Sequence, residues 1–369
     1  MKILHLTNGY FHTTLYRELL KHLKESDSEI EPETVVLSGK DEKNEPEAGV
    51  HDIKLFNKYD RYFYFHKQRK SFRAVKKVTN LGDINLVHAH FLFTNGGVAL
   101  RIKKQYKVPY IVAVRNTDVN VFFKKLKHLR AYGVKIMEQA EKIIFLSEAY
   151  QDAVLETYVP LQKREDIRSK CEVIPNGIDQ FWLDNKNIHT RDDDSKKINI
   201  VFAGRIDENK NCMAAVFACE KLIEKGYDVH YTAVGNVSSK EIFDSIKAKP
   251  FTECLPPKSK EELIELYKNQ DIFLMPSKHE TFGLSYAEAM TQGLPVIYTR
   301  GQGFDKQFPE GTVGYSVDCL DSDEIAEKIL KILSGFNEMS SRCAENSGKF
   351  DWDIISKKYI KIYDVNKRI

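Results

Sequence analysis

Short apolar, β-branched runs alternate along the chain with segments in which apolar residues recur at helical spacing. Lys2–Thr7 has the pattern of a buried strand, and the next segment places Leu15, Leu19, Leu20 and Leu23 on one helical stripe. The further strands predicted in this half are Thr34–Leu37, Asn85–Ala89, Tyr110–Val114, Lys142–Leu146 and Glu172–Ile174. Helical stretches between most of them predict a doubly wound parallel α/β sheet rather than a sandwich or a helix bundle.

The same alternation starts again after a break. Pro175–Ile178 has turn chemistry, and the polar stretch 184–197 contains the acidic run Asp192–Asp194, which we interpret as solvated charge rather than as a metal site. The elements predicted beyond it are strands Ile198–Ala203, Val229–Val234, Ile272–Met275 and Pro295–Tyr298 and helices Cys212–Lys225, Lys260–Lys268, Leu284–Gln292 and Ser322–Leu333.

The pattern therefore predicts two Rossmann-like domains. We expect an N-terminal domain over 1–180, a linker over 181–197, a C-terminal domain over 198–350, and a tail over 351–369 with a helix at Ile354–Val365. Because ligands of open α/β sheets bind beyond the carboxyl ends of the strands, the cleft between two such domains is the expected site.

The composition fits an intracellular globular protein. Of 369 residues, 42% are apolar and 30% charged, which excludes a disordered chain or a small disulfide scaffold. The net charge of +3 conceals an asymmetry, because residues 1–180 carry 30 basic and 23 acidic residues and the rest 26 and 30. Five of the six cysteines lie after residue 180 and Cys171 lies before it, without a C-x-x-C pair. No apolar run is long enough for a signal peptide or a membrane span. We expect a cytoplasmic location.

Two loops of the second half carry candidate chemistry. Strand Ile198–Ala203 leads into Gly204, which lets the backbone approach a ligand, and then to Arg205 and Lys210. Two cations at a strand-to-helix junction are suited to hold an anionic group, and the alternative is a solvated surface loop.

The second loop is Pro276–Glu288. Gly283 permits an exposed backbone turn before a helix, Glu280 lies on the loop, and Glu288 lies about one turn inside the helix. Two carboxylates so placed suit two hydroxyl-rich groups on either side of a phosphate. The alternative for Glu288 is an ordinary surface position, although its neighbours are apolar and a carboxylate in a buried stretch needs a partner.

These residues resemble the donor site of glycosyltransferase family 4, the retaining enzymes of the two-domain GT-B fold. The resemblance rests on Arg205 with Lys210 and on Glu280 and Glu288, which have seven residues between them. The segments that follow the family order are Val87–Phe91, Val173–Asp179, Pro276–Glu288 and the tail around Trp352. The ordered set covers most of the chain.

The resemblance implies transfer of a sugar from a nucleotide-diphosphate donor, with UDP expected, without a metal or other cofactor. The donor-binding residues that it implies are Gly9, Gly204, Arg205, Lys210, Phe282, Gly283, Leu284 and Glu288. Arg205, Lys210 and the helix start would stabilise the diphosphate, while Glu280 would contact the donor sugar and Glu288 the ribose. Gly9 would lie across the cleft, in a loop with fewer glycines than the family's usual version.

One loop departs from the family pattern. Many members have His-Gly-Thr-Asp after the fifth strand, whereas this chain has Arg115, Asn116, Thr117 and Asp118. Arginine cannot act as a general base, but it can hold a carboxylate, a hydroxyl or a phosphate. The resemblance makes Glu280, Arg115 and Asp118 the catalytic candidates, with Asn116 on the acceptor side.

His88 and His90 flank a predicted strand end. They are either structural histidines or acceptor-side contacts. We expect no zinc site, since no third ligand has metal-like spacing.

Two segments mix cations with aromatic residues. They are Lys58–Lys70, continuing through Arg73, Lys76 and Lys77, and Val121–Arg130. Such segments suit an anionic membrane surface, although an ordinary helix with a charged face would also fit, and no nucleic-acid fold signature accompanies them. Peripheral attachment to the cytoplasmic face of a membrane is one expectation.

The predicted function is transfer of a sugar to a glycan or lipid-linked acceptor in cell-surface polysaccharide or glycolipid synthesis. The alternatives are a nucleotide-sugar epimerase and a catalytically silent GT-B subunit that stabilises a partner transferase. The loop Cys254–Lys258, where the base is expected, contains no residue that decides its identity. The sugar, the linkage and the oligomeric state stay open.

Overall fold

The computed structural model describes residues 1–60, 62–192 and 195–365. Arg61, Asp193 and Asp194, which belong to segments singled out above, lie outside the described residues. The strands are β1 Lys2–Thr7, β2 Glu31–Gly39, β3 Val50–Phe56, β4 Leu86–Ala89, β5 Tyr110–Ala113, β6 Lys142–Phe145, β7 Cys171–Val173, β8 Lys197–Ala203, β9 Asp228–Val234, β10 Thr252–Leu255, β11 Ile272–Leu274, β12 Val296–Thr299 and β13 Gly314–Val317.

The α-helices begin and end close to the predicted positions where a prediction was made. They are α1 Leu15–Ser26, α2 Tyr64–Val78, α3 Gly96–Tyr106, α4 Arg130–Gln139, α5 Glu148–Tyr158, α6 Leu161–Arg168, α7 Gln180–Asp184, α8 Cys212–Glu224, α9 Lys240–Lys247, α10 Lys260–Tyr267, α11 Leu284–Thr291, α12 Ser322–Leu333, α13 Phe336–Asn346 and α14 Trp352–Val365. No helix in the described ranges is long and apolar enough to cross a membrane.

The chain divides into two compact units. Unit 1 comprises 1–146, 151–176 and the segment from Trp352 onward, and unit 2 comprises 147–150 and 177–351. The segment 181–197, predicted as a linker, lies within unit 2: it includes part of α7, and the side chain of Trp182 is 1% exposed. The polar second part of this segment does not mark a boundary between the units. The change of unit comes earlier, at Asn176 and Gly177.

Each unit contains one parallel sheet, which confirms the predicted fold class. The strand order in unit 1 is β3-β2-β1-β4-β5-β6-β7, and in unit 2 it is β10-β9-β8-β11-β12-β13. The order reverses between β1 and β4 in one unit and between β8 and β11 in the other. Crevices beyond the carboxyl ends of such strand pairs are the usual ligand positions of doubly wound folds.

The sheet of unit 1 has a buried cluster on each of its two faces, because successive strand residues point to opposite sides of the sheet. On β1, Leu4 belongs to one buried cluster and Ile3 to the other. The second cluster includes Trp352 and Ile355, so α14 contributes to the core of unit 1.

Three strands escaped the sequence analysis. β3 and β10 are edge strands whose residues are largely half-buried or exposed, so they lack a continuous apolar run. β13, the other edge strand of unit 2, is four residues long and begins with glycine. As a consequence, Cys254 and Leu255 belong to β10 rather than to the loop in which the sequence analysis placed them.

Candidate functional site

The two loops singled out in unit 2 follow β8 and β11 and are joined by hydrogen bonds. The backbone N–H of Lys278 donates to the carbonyl of Asn209 at 2.8 Å, and Asn209 Nδ2 donates to the carbonyl of His279 at 2.9 Å. Asn211 Nδ2 donates to the carbonyl of Pro276 at 3.1 Å. The strand-order reversal thus brings both loops into one connected surface, as expected for neighbouring parallel strands.

Lys210 and Glu280 form an ion pair at the centre of this surface. Lys210 Nζ lies 2.5 Å from Glu280 Oε2, and the two side chains are only 18% and 13% exposed. The backbone N–H of Thr281 donates to the other carboxylate oxygen of Glu280 at 2.9 Å, and Gln302 Oε1 accepts from the N–H of Glu280 at 2.9 Å. Both charges are therefore held at fixed positions.

Asp207 positions the two cations of the first loop. Its Oδ2 accepts from Arg205 Nε at 2.5 Å, and its Oδ1 accepts from the backbone N–H of Lys210 at 2.9 Å. The Arg205 side chain is 60% exposed, so much of its guanidinium faces solvent. Asp207 was not among the predicted site residues. Its place three residues before Lys210, where an aspartate closes a turn onto a backbone N–H, is the signal that could have found it.

Two glycines allow neighbouring residues to pack directly against the backbone at the start of α11. Gly283 has φ +78°, and a Cβ there would lie 2.4 Å from the ring of Tyr286 and 3.3 Å from Cγ of Glu280. A Cβ at Gly303 would lie 1.8 Å from the carbonyl oxygen of Thr281. Phe282 is 2% exposed and its ring packs 5.4 Å from that of Phe350. The helix start is therefore anchored by an aromatic contact and lies beside the Glu280 carboxylate.

Leu284 begins α11, and Gly204 follows β8, as their predicted positions require. A Cβ on Gly235 would lie 1.9 Å from the carbonyl oxygen of Gly204, so the loops after β8 and β9 touch through their backbones. The described geometry brings all the predicted donor residues of unit 2 onto these loops and α11. Their roles stay predictions.

Glu288 is half-buried on α11, and burial raises its pKa to about 7. The positive charge of Lys260 works against this rise, while the negative charge of Asp179 adds to it. Lys260 and Asp179 form an ion pair with each other. In the described part of the chain, the Glu288 carboxylate has neither a hydrogen-bond nor an ion-pair partner. It is therefore available to accept hydrogen bonds from a ligand.

In unit 1, Gly9 and Arg115 lie at the ends of β1 and β5. Gly9 N donates to Thr7 Oγ1 at 3.2 Å, and a Cβ on Gly9 would lie 3.2 Å from the ring of Tyr16. Arg115 is half-buried, and its Nε and Nη1 atoms are buried with no hydrogen-bond partner among the described residues. Asn116 Oδ1 accepts from Asn120 Nδ2 at 2.7 Å.

Asp118, predicted as a catalytic candidate, forms a structural clamp. Its side chain is completely buried, and its carboxylate accepts three backbone N–H groups, from Leu92 at 3.0 Å, Phe93 at 2.9 Å and Arg115 at 2.9 Å. Burial raises its pKa to about 6 although these hydrogen bonds favour the charged form. Asp118 ties the loop after β4 to the loop after β5. Its catalytic role stays a prediction.

His88 and His90 are interior residues, 0% and 2% exposed, so they cannot contact an acceptor in this structure. Their rings stack with centroids 3.9 Å apart, and His88 Nδ1 lies 2.8 Å from the Tyr363 hydroxyl. His5 completes the cluster, with its Nδ1 3.1 Å from His90 Nε2. Burial lowers the pKa of all three rings, that of His5 to about 3, so the imidazoles are neutral.

A third histidine accompanies His88 and His90, although no third ligand has metal-like spacing along the chain. The absence of a zinc site stays a prediction. One nitrogen of each of His5, His88 and His90 lies within 4.8 Å of the others, which among the described residues is the only cluster of three or more candidate metal ligands. Spacing along the chain could not reveal it, because His5 comes from β1 and pairs across the sheet with His88 on β4. The positive charge of Arg115 lowers the pKa of His88 and His90 and would also oppose a metal cation.

Two family models together match most of the chain. The model of "Glycosyltransferase Family 4" matches residues 13–180, and that of "Glycosyl transferases group 1" matches residues 171–350. An uncharacterized glycosyltransferase of Methanocaldococcus jannaschii is 23% identical over 95% of this chain and 93% of its own length.

Two solved structures are similar over almost the entire chain. The apo form of the lipopolysaccharide outer core galactosyltransferase WaaB has a TM-score of 0.75 at 14% identity, over 99% of both chains. The complex of Anabaena HepE with UDP-glucose has a TM-score of 0.67 at 15% identity, over 100% of both chains.

Proposed function

The chain belongs to glycosyltransferase family 4 and is a glycosyltransferase of the GT-B fold; from this premise we propose that it transfers a sugar from a UDP-sugar to a glycan or lipid-linked acceptor. We propose further that transfer retains the anomeric configuration and needs no metal. The observation that carries the proposal is the fixed Lys210–Glu280 pair, next to Arg205 and the glycine-started helix α11.

In this proposal, the cations and the helix start receive the diphosphate. Departure of the sugar leaves an additional negative charge on the nucleotide, which must be stabilised where it develops. Lys210 offers an ammonium at a fixed position, and Arg205 offers guanidinium N–H groups to solvent. The positive end of α11 adds to both. These groups give the protein its own means of charge stabilisation, without a divalent cation.

The two carboxylates bind hydroxyl groups on either side of the diphosphate. The Lys210–Glu280 contact is that of the ligand-free site. When the donor binds, Lys210 turns to the phosphate, and Glu280 accepts a hydrogen bond from a hydroxyl of the donor sugar instead. Glu288, whose carboxylate has no partner in the described residues, accepts from the ribose hydroxyls. Each hydroxyl bound by a carboxylate gains a charge-assisted hydrogen bond.

The choice of UDP is supported by the structural similarity to HepE, whose structure contains UDP-glucose. The choice of a saccharide acceptor is supported by the similarity to a lipopolysaccharide galactosyltransferase. Retention and metal independence rest on family membership. We propose that the protein acts in cell-surface polysaccharide or glycolipid synthesis, in the cytoplasm or on the cytoplasmic face of a membrane.

A panel of nucleotides and nucleotide sugars tests the donor assignment. A ligand that binds only the folded state raises the melting temperature by mass action, so UDP and one UDP-sugar should raise it more than GDP or ADP counterparts. The anomeric configuration of the product, followed by NMR, tests retention, and turnover in excess EDTA tests metal independence.

Three results would each contradict a part of the proposal. Inversion at the anomeric carbon would contradict retention. Release of an epimerised sugar without any acceptor would favour an epimerase. Failure of every nucleotide diphosphate to bind would favour a catalytically silent subunit.

A further inference from the structure

The two segments of cationic and aromatic residues, separate in sequence, pack beside each other in unit 1. The ring centroid of Tyr64 lies 6.0 Å from that of Phe122 and 5.8 Å from that of Tyr132. Phe65 lies 5.3 Å from Tyr132. We call the surface formed by the described residues of 58–77 and 121–130 the basic-aromatic surface.

Four aromatic side chains of this surface are exposed within seven residues. The exposed fractions are 62% for Tyr59, 66% for Tyr62, 66% for Phe63 and 46% for Phe65. Elsewhere in the described chain, large exposed apolar side chains are scattered singly, as Phe217 on α8 is. Single exposures are ordinary, whereas a contiguous group marks a surface that meets an apolar partner.

The charge of this surface has one sign. Residues 58–77 and 121–130 contain twelve Lys and Arg against one acidic residue, Asp60. Asp60 is buried and paired with Lys70 at 3.0 Å, so it does not offset the remaining cations. The cations without a hydrogen-bond or ion-pair partner among the described residues include Arg69, Arg73, Lys124 and Lys125.

Helix α2 arranges both features on one face. Its buried residues are Gln68, Ser71, Phe72 and Val75. The exposed stripe contains Phe65, Arg69 and Arg73 at intervals of four, and then Lys76 and Lys77. A helix whose outer face meets only water carries both positive and negative side chains on that face, as α12 does with Glu324, Glu327, Lys328 and Lys331. In α2 no acidic residue is present.

We infer that the basic-aromatic surface binds the anionic face of a lipid bilayer. Tyr62, Phe63 and Phe65 enter the interfacial region, where aromatic rings are stable, and the cations of α2 and 121–130 face the anionic headgroups. Each cation close to such a surface contributes about 1 kcal/mol, which falls off within a Debye length. The exposed aromatic residues form one group at the start of the cationic stripe of α2. Such a group can enter the apolar part of a bilayer, so it favours a bilayer over a polynucleotide.

The inference goes beyond the proposed transfer reaction and does not depend on it. Membrane binding concerns residues of unit 1, whereas the proposed donor residues apart from Gly9 belong to unit 2. If the acceptor is lipid-linked, this surface brings the acceptor-side unit to it. A failure of one proposal therefore leaves the other standing, and separate measurements distinguish them.

Co-sedimentation of the full chain with vesicles tests the inference. We expect binding to vesicles of phosphatidylcholine with about one third phosphatidylglycerol, and release at high salt, because the attraction is screened within about 10 Å at 0.1 M salt. We expect R69E/R73E and Y62S/F63S each to lose roughly tenfold or more in affinity. The matched controls K21E/K24E on α1 and F217S on α8 change exposed residues elsewhere and should bind as the parent does.

The UDP-induced rise in melting temperature of each variant shows separately whether the donor site is intact. Equal binding to vesicles of phosphatidylcholine alone, no vesicle binding, or parental binding by both double variants would overturn the inference. So would a single-stranded oligonucleotide that binds this surface while anionic vesicles do not.

Discussion

The ammonium of Lys210 lies 2.5 Å from the carboxylate of Glu280, although the two residues are 70 positions apart in sequence. The pair joins the loop after β8 to the loop after β11 at the point where the strand order of unit 2 reverses. Because both side chains are mostly shielded from water, removing one charge of the pair lowers the free energy of unfolding. In the absence of ligand, the carboxylate of Glu280 is thus the counter-ion of Lys210 in the proposed site.

We expect Lys210→Ala to weaken UDP binding by roughly 10- to 100-fold, since a hydrogen bond to a charged group contributes about 1.5–3 kcal/mol. The same change should lower the melting temperature, because Glu280 then keeps only the N–H of Thr281 as a partner. Calorimetry with UDP and a thermal melt measure the two effects. Lys278→Ala is the matched control, since Lys278 lies on the neighbouring loop after β11 and pairs with exposed Glu208.

The double variant K210A/E280A separates charge imbalance from ligand contact. It should recover part of the lost melting temperature, because no unpaired carboxylate is left, but it should not recover UDP affinity. Unchanged UDP affinity in K210A would remove Lys210 from the donor site.

Glu288 should make stability fall as the pH rises. Its folded pKa is about 7, against an ordinary value of 4.5, so between these values the folded state binds more protons than the unfolded state. The free energy of unfolding therefore decreases from about pH 4.5 to pH 7 and levels off above, by roughly 1–3 kcal/mol for this group. Subtracting the pH profile of E288Q from that of the parent isolates this contribution.

UDP binding provides a second readout of the same group. If ribose hydroxyls donate to the ionised carboxylate, parental affinity should rise more steeply with pH through about 7 than that of E288Q. Ionisation of the terminal phosphate of UDP, at about pH 6, contributes equally to both profiles. Glu265→Gln, at an exposed position on α10, is the control that should retain the parental profiles. Parallel profiles for the parent and E288Q would show that Glu288 does not titrate as described.

Sequence patterns predicted the fold where burial decides local structure. β1 and α12 have the predicted bounds, because a strand buried on both faces and an amphipathic helix with an N-terminal Asp cap each leave a local signal. The edge strands β3 and β10 leave none, since half-exposed residues do not form an apolar run. The change of unit at Asn176 was equally hidden, because polar residues after it still pack within unit 2.

The candidate site divides in the same way. Lys210 and Glu280 were found because each follows a buried strand in a glycine-containing loop, but their direct contact is a tertiary fact. The burial of Asp118 and the approach of His5 to His90 depend on which strands are neighbours, and spacing along the chain does not encode that order. Motif position therefore predicted which side chains lie on neighbouring loops, but not which of them are in contact.

Asp118 should affect stability rather than chemistry. Asp118→Ala leaves three buried N–H groups without an acceptor, so we expect a loss of about 3 kcal/mol or more in the free energy of unfolding. Below the melting temperature, UDP affinity should be unchanged, because the clamp lies in unit 1. Denaturant unfolding and UDP calorimetry measure these. Asp166→Ala at an exposed position on α6 is the control, and a stable D118A protein with no turnover would restore the catalytic assignment.

Arg115→Ala should abolish transfer while leaving UDP binding intact. Arg115 carries two buried donor nitrogens that have no hydrogen-bond partner in the described residues, and a hydrogen bond with Tyr359 is lost on its removal, so we expect a melting temperature close to that of the parent. Loss of turnover would then reflect a missing contact with sugar or acceptor rather than unfolding. Steady-state rates with the donor found by the nucleotide panel, together with UDP calorimetry, measure the two properties.

Arg115→Lys distinguishes charge from geometry. Lysine keeps the positive charge but lacks the planar fork of the guanidinium, so it should restore little turnover if Arg115 binds two oxygens of one group, and most of it if only charge is required. Arg168→Ala, which removes an exposed arginine paired with Asp152, should match the parent in both assays. Parental turnover in R115A would exclude Arg115 from the site and leave its unpaired donors as a purely structural cost.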